Sequence, residues 1–138
     1  MKRYVVDASV ILKWGLGDER EPDQDAAVNL LNGWVEDQVE LLAPTLWECE
    51  VGNFFGRRLP EDAPRKMAVL LNLRITNVHL TERMHDLCFS WMKQNGVTFY
   101  DAAHLATAAE ARGILVTADE RFAGKMSNVA AVCLLKVL

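Results

Sequence analysis

The sequence predicts an α/β fold built on a mostly parallel five-stranded sheet. Five short β-favouring runs are separated by longer amphipathic or Ala-rich stretches, which is the alternation that parallel strands and their helical crossovers require. The composition, 51% hydrophobic and 25% charged over 138 residues, supports one domain of ordinary size spanning residues 1–138.

Each element follows from local pattern. Tyr4-Val5-Val6 is a buried-type strand ending at Asp7. Val10, Ile11 and Trp14 then fall at helical spacing within residues 8–14. Residues 15–25 hold five acids, one Arg, two Gly and one Pro, predicting a solvated loop whose net −4 equals that of the whole chain. Apolar residues at 26, 27, 30, 31, 34 and 35 describe an amphipathic helix. Residues 39–43 read as a second strand stopped by Pro44, and residues 45–59 as a helix ended by Pro60. Residues 61–73 form a short helix with Pro64 near its first turn, and residues 75–78 a third strand. Leu80, Met84, Leu87, Cys88, Trp91 and Met92 define a helix that Gly96 terminates. Residues 100–112 are Ala-rich and helical, closed by Gly113. Residues 114–116 give a fourth strand and 129–135 a fifth, with a short helix between.

Composition excludes several classes. The longest apolar run, residues 129–135, has seven residues, well short of the roughly 20 of a membrane span. Asp7 interrupts the first apolar run too early for a secretory leader. Cys49, Cys88 and Cys133 are scattered among apolar neighbours with no CxxC, the pattern of reduced core thiols in a cytoplasmic protein. A net charge of −4 argues against nucleic-acid affinity from bulk charge alone.

Open parallel sheets bind ligands beyond the carboxyl ends of their strands, so acids at strand ends and helix starts carry the most information. Asp7 follows the first strand, Asp101 opens the Ala-rich helix and Asp119 lies just past the fourth strand. Each position also suits a plain N-cap. Glu50 is different. Leu46 and Phe54 lie four residues to either side and Trp47 three before, placing Glu50 on the core-facing stripe. A carboxylate there is costly without a positive partner, and no Lys or Arg stands one turn away; the alternative is an acid at the stripe's edge reaching solvent. A set of Asp and Glu oxygens suits Mg²⁺ or Mn²⁺, and such ions promote in-line displacement at phosphorus. The residues point to metal-dependent phosphodiester hydrolysis.

The chain resembles the PIN-domain family, specifically its small VapC-type toxins. The resemblance rests on Val5-Val6-Asp7-Ala8-Ser9, Ala43-Pro44-Thr45-Leu46 with Glu50-Val51-Gly52-Asn53, Thr98-Phe99-Tyr100-Asp101-Ala102-Ala103-His104-Leu105-Ala106, and Val116-Thr117-Ala118-Asp119 with Phe122, in family order. It implies a three-layer α/β/α sandwich and an RNA-cleaving nuclease whose metal-binding, catalytic carboxylates are Asp7, Glu50, Asp101 and Asp119. Asp7 and Asp101 would hold the Mg²⁺ or Mn²⁺ most directly. Ser9 and Thr117 match polar positions that could hydrogen-bond the acids, and Asn53 matches one that could orient Glu50. The resemblance further implies a small protein antitoxin covering the pocket and a homodimer.

Two other readings stay open: a PIN-like scaffold that binds RNA or protein without cutting, and a phosphatase using Asp7 as nucleophile. The phosphatase lacks the second Asp two positions on, where Ser9 stands. The acidic stretch at 15–25 could repel RNA, receive a basic antitoxin segment, or be a solvated loop. Lys13, Arg57, Arg58, Arg121 and Lys125 could contact phosphates, or simply be solvated. His104, one turn after Asp101, could touch the site, although a histidine hydrogen-bonded at the core edge is the plainer expectation.

Overall fold

A computed structural model describes all 138 residues. Its five strands, β1 (Lys2–Val6), β2 (Val39–Pro44), β3 (Thr76–Val78), β4 (Ile114–Thr117) and β5 (Val132–Leu134), form one sheet in the order β3-β2-β1-β4-β5. Every adjacent pair is parallel. The helices between them are α1 (Ala8–Leu16), α2 (Gln24–Val35), α3 (Trp47–Arg58), α4 (Ala63–Asn72), α5 (Glu82–Asn95), α6 (Phe99–Ala111) and α7 (Glu120–Met126). Chain order reverses at the β1–β4 pairing, so the crevice beyond Val6 and Thr117 is the topological switch point.

The strands' two-residue periodicity divides the core between the two faces. Tyr4, Val6, Leu41, Ala43 and Val116 pack with Val10, Ile11, Leu30, Val51, Phe55 and Leu70 of the first four helices. Val5, Leu42 and Leu115 point the other way, into Met84, Cys88, Trp91, Phe122, Met126 and the inner residues of α6. Three layers result, as the resemblance implies. Helix α6 crosses the middle of the sheet, touching β1, β2 and β4. Its alanines at 102, 103, 106 and 108 are all buried, and their small side chains let the helix lie close to the strands.

Two glycines are fixed by space. A Cβ on Gly113 would stand 2.7 Å from the Arg3 carbonyl, where β4 enters beside β1. A Cβ on Gly15 would meet the buried Phe55 ring at 2.6 Å. Gly15 therefore lies inside α1, which runs to Leu16 rather than stopping at Trp14 as expected. With α2 starting at Gln24, the acidic stretch is shorter than its composition suggests and is organised: Asp18 pairs with Arg20 at 3.3 Å, and Lys13 reaches back to the Pro22 carbonyl at 2.6 Å and Glu21 at 3.5 Å. The fifth strand covers only three of the seven residues expected, because the turn after α7 runs on through residue 130 and a 3-10 helix begins at Leu135. Cys49 is exposed rather than in the core, whereas Cys88 is buried and its thiol is pushed up to about 11 by that burial. The four tryptophans pack as structural residues; the indoles of Trp14, Trp34 and Trp47 donate to Ala27 O, Leu73 O and Asn77 Oδ1.

Candidate active site

Asp7 is buried at the carboxyl end of β1. Its Oδ1 accepts from the Val10 amide at 3.3 Å, capping α1, and from Ser9 Oγ at 2.5 Å. Ser9 Oγ in turn accepts from the Ala118 amide at 3.0 Å. One hydroxyl thus ties the acid after β1 to the backbone after β4, across the switch point.

Asp101 was a candidate cap for α6, but Thr98 fills that position: its Oγ1 accepts the Asp101 amide at 3.2 Å. The Asp101 side chain is left half-buried in the first helical turn with no capping duty. Burial, then the charges of Asp7 and Asp119, push its carboxyl above the ordinary range, against the opposing influence of His104 and Thr98. Asp119 is exposed and does cap α7, accepting the Phe122 amide at 3.0 Å. Thr117 is fully buried and supports Asp119 through the backbone, its Oγ1 accepting the Asp119 amide at 3.1 Å. Asn53 is exposed one turn after Glu50 and makes no hydrogen bond to it.

Glu50 comes from the other helix layer. Apolar neighbours turn it inward as its spacing predicts, leaving the side chain only 25% exposed and Oε1 buried without a hydrogen-bond partner. Burial first, then Asp7 and Asp101, pushes its carboxyl up to about 7. Facing it at 3.8 Å is Nε2 of His104, also buried and unpartnered. His104 Nδ1 lies 2.8 Å from the Tyr100 carbonyl and donates to it, which leaves Nε2 as the lone-pair nitrogen of a neutral ring. Burial lowers the His104 pKa, against the pull of Asp7, the Tyr100 carbonyl and Asp101. His104 is thus buried and hydrogen-bonded within its own helix, as the plainer expectation has it, and also stands beside Glu50.

The four sequence-predicted acids therefore meet electrostatically at one end of the sheet. Asp7 acts on both Glu50 and Asp101, and Asp119 acts on Asp101. As placed, no three His, Cys, Asp or Glu side chains stand close enough to grip one ion between them. The donor chemistry nevertheless fits a hard divalent cation: oxygen ligands, mutual repulsion, and a buried carboxylate oxygen with no partner.

The PIN-domain model matches residues 4–125. No curated protein matches the chain. Among solved structures, a toxin–antitoxin complex from Klebsiella pneumoniae superposes with a TM-score of 0.70 at 14% identity, over 96% of this chain and 97% of its own. The sarcin-ricin loop cleaving toxin VapC20 of Mycobacterium tuberculosis gives 0.65 at 16% identity, over 88% and 93%. VapBC2 from Rickettsia felis, bound to a DNA fragment from its promoter, gives 0.69 at 14%, over 96% of each chain. These likenesses establish a shared fold, and the family match spans every acid of the site. The chain belongs to the PIN-domain family.

Proposed function

We propose that this chain is a Mg²⁺- or Mn²⁺-dependent endoribonuclease, the toxin of a toxin–antitoxin pair. The observation that supports this best is the pressing of Asp7, Glu50 and Asp101 into one partly buried crevice, where burial and the neighbouring Asp7 and Asp101 charges push the Glu50 carboxyl up to about 7. In this reading Asp7 and Asp101 hold the metal, with Glu50 and Asp119 completing its surroundings. When bound, the ion supplies a water of lowered pKa and positive charge for the phosphate oxygens.

The chain's own residues do the rest. Ser9 fixes the rotamer of Asp7 and holds it against β4, so that one carboxylate is set before any ligand arrives. Thr98 frees the Asp101 side chain by capping α6 in its place. Glu50, titrating near neutrality, is placed to take up or release a proton at Oε1, and His104 Nε2 is the adjoining acceptor. Asp101, Glu50 and Asp119 would complete the surroundings of an ion held at the Asp7 carboxylate that Ser9 fixes. The named activity of VapC20 supports RNA as substrate, and the Klebsiella and Rickettsia complexes support a protein antitoxin. The resemblance extends the proposal to a homodimer acting in the cytoplasm, with residues 1–138 as one PIN domain. No helix is long and apolar enough to cross a membrane.

The test is incubation of the purified protein with a panel of RNAs, followed by sequencing of the new ends. Cleavage that needs Mg²⁺ or Mn²⁺, stops in EDTA and is lost in Asp7→Asn and Asp101→Asn is expected. Cleavage surviving both substitutions, or surviving EDTA, overturns the assignment. A variant-independent RNA complex with no cleavage at all favours the non-catalytic scaffold.

A further inference from the structure

Resting on the ribonuclease reading, we infer that the substrate strand crosses the acids from a groove carrying Arg57 and Arg58 to a cleft carrying Arg121 and Lys125. The groove runs between α1 and α3, and Glu50, Asn53, Phe54, Arg57 and Arg58 line its α3 side. These residues fall three or four apart on one helix face, so Arg57 stands about 10 Å along the axis from Glu50. The cleft lies between the α5–α6 turn and α7, and it holds Thr98, Asp101, Asp119, Arg121 and Lys125. Helices α1 and α3 pack on one side of the sheet and α5–α7 on the other. The two depressions therefore flank the strand ends from opposite layers, the groove holding Glu50 with Arg57 and Arg58, and the cleft holding Asp101 and Asp119 with Arg121 and Lys125.

None of these four cations has a carboxylate within 4.0 Å. Lys2, Lys66, Arg74, Arg83, Lys93 and Arg112 are equally free of carboxylates; what sets the four apart is that each shares a depression with an acid of the site. Lys13, the fifth candidate from the sequence, is buried and committed to Pro22 and Glu21, so it drops out. Arg58 Cζ lies 5.7 Å from the centre of the Phe54 ring, and both residues line the groove. Lys125 Nζ rests only 3.5 Å from the Gly96 carbonyl, at the limit of a hydrogen bond. A polyanion that must approach an acidic centre gains from cations placed to either side, where neighbouring phosphates pass. Two cations per side set the register of the strand without reading its bases. A rival cationic patch exists where Lys2, Arg3 and Arg112 lie together; Arg3 is paired with Glu40 at 2.9 Å, and the two remaining cations stand at the opposite end of the sheet from the four acids.

Fluorescence anisotropy of a labelled twelve-residue oligouridylate, titrated in EDTA over a range of salt, decides the matter. Arg57→Ala/Arg58→Ala and Arg121→Ala/Lys125→Ala should each weaken binding about tenfold at low salt. Each should also flatten the slope of log affinity against log salt by about 0.7 per lost phosphate contact. Lys2→Ala/Arg112→Ala should match the wild type in both. In the cleavage assay, the flanking variants should raise KM and leave kcat near its wild-type value. Groove and cleft variants that bind like the wild type, or a control variant that flattens the slope, overturn the inference while wild-type cleavage leaves the ribonuclease reading standing. Variants that keep RNA affinity but lose a co-purifying protein partner overturn it too, assigning the cations to that partner. Wild-type protein that neither binds nor cuts RNA defeats both readings together.

Discussion

Glu50 Oε1 and His104 Nε2 face each other at 3.8 Å across the top of the sheet, one from each helix layer, and neither atom has another partner. The gap is too long for a hydrogen bond. It brings together a carboxyl that titrates near neutrality and an imidazole that burial keeps neutral, so a proton on Glu50 relieves the conflict between two facing lone pairs. The electrostatics of the pair turn on whether that proton is present.

Stability should therefore fall with rising pH in the absence of metal. A carboxyl pushed up to about 7 keeps in the folded chain a proton that the unfolded chain releases near 4.5, so its contribution is lost as pH climbs between those values. Asp101 adds to the loss in the same direction, while His104, shifted downward, opposes it only below about 6.5. Glu50→Gln should equal the wild type near pH 5 and exceed it at pH 8 by about 1–2 kcal/mol, the shift being discounted for the side chain's partial exposure. Urea unfolding in EDTA at both pH values measures this. A variant no more stable than wild type at pH 8 would show that Glu50 is not strained.

Divalent cations should reverse that loss. Ions that bind only the folded, deprotonated acids stabilise by mass action, by about 2.7 kcal/mol at a hundredfold excess over Kd. Mn²⁺ at that excess should raise Tm by about 9 °C at pH 8 and by much less at pH 6. Asp7→Asn and Asp101→Asn should show no such rise. Thermal melts with Ca²⁺ and Na⁺ alongside separate site binding from general ionic effects.

Ser9→Ala should damage both the fold and the chemistry. It removes the donor to Asp7 and the acceptor for the Ala118 amide together. A cost of about 1–3 kcal/mol is expected for such buried partners. Because Asp7 then loses its fixed rotamer, kcat should drop even at temperatures where the variant is fully folded. Unchanged kcat would mean that Asp7 is held adequately by the Val10 amide alone.

Gly113→Ala offers the converse case, a change in stability without a change in chemistry. The new methyl would press on the Arg3 backbone, which has no flexible side-chain end to yield. A destabilisation of about 1–3 kcal/mol is expected. Gly113 precedes β4, at the opposite end of the sheet from the acids, so kcat below the transition should remain that of the wild type.

Much of this site was legible before any coordinates. Glu50 was conspicuous because Leu46, Trp47 and Phe54 surround it at helical spacing, and the structure turns it inward for that reason. Asp7 and Asp119 were readable as strand-end acids because β-favouring runs stop directly before them. What local pattern could not supply was pairing across layers. His104 looked like an interior helix residue, and only the arrangement of α3 against α6 brings it to Glu50. Lys13 looked like a free surface cation until the loop before α2 folded back over it. Asp101 looked like a cap because the Ala-rich pattern starts the helix at Tyr100, whereas it begins at Phe99 with Thr98 as its cap.

The strand order has a consequence for when the crevice is assembled. The sheet's central pairing joins Tyr4 to Ile114, and no two adjacent strands are linked by a hairpin. Such non-local sheets close late, because the intervening chain must be present before the contact can form. During synthesis Asp7 emerges early, but the amide that anchors Ser9 belongs to residue 118 and the last acid is residue 119. A nascent chain shorter than that has neither the crevice nor its full set of carboxylates. The order of the strands delays assembly of the site until nearly the whole of this chain has been made.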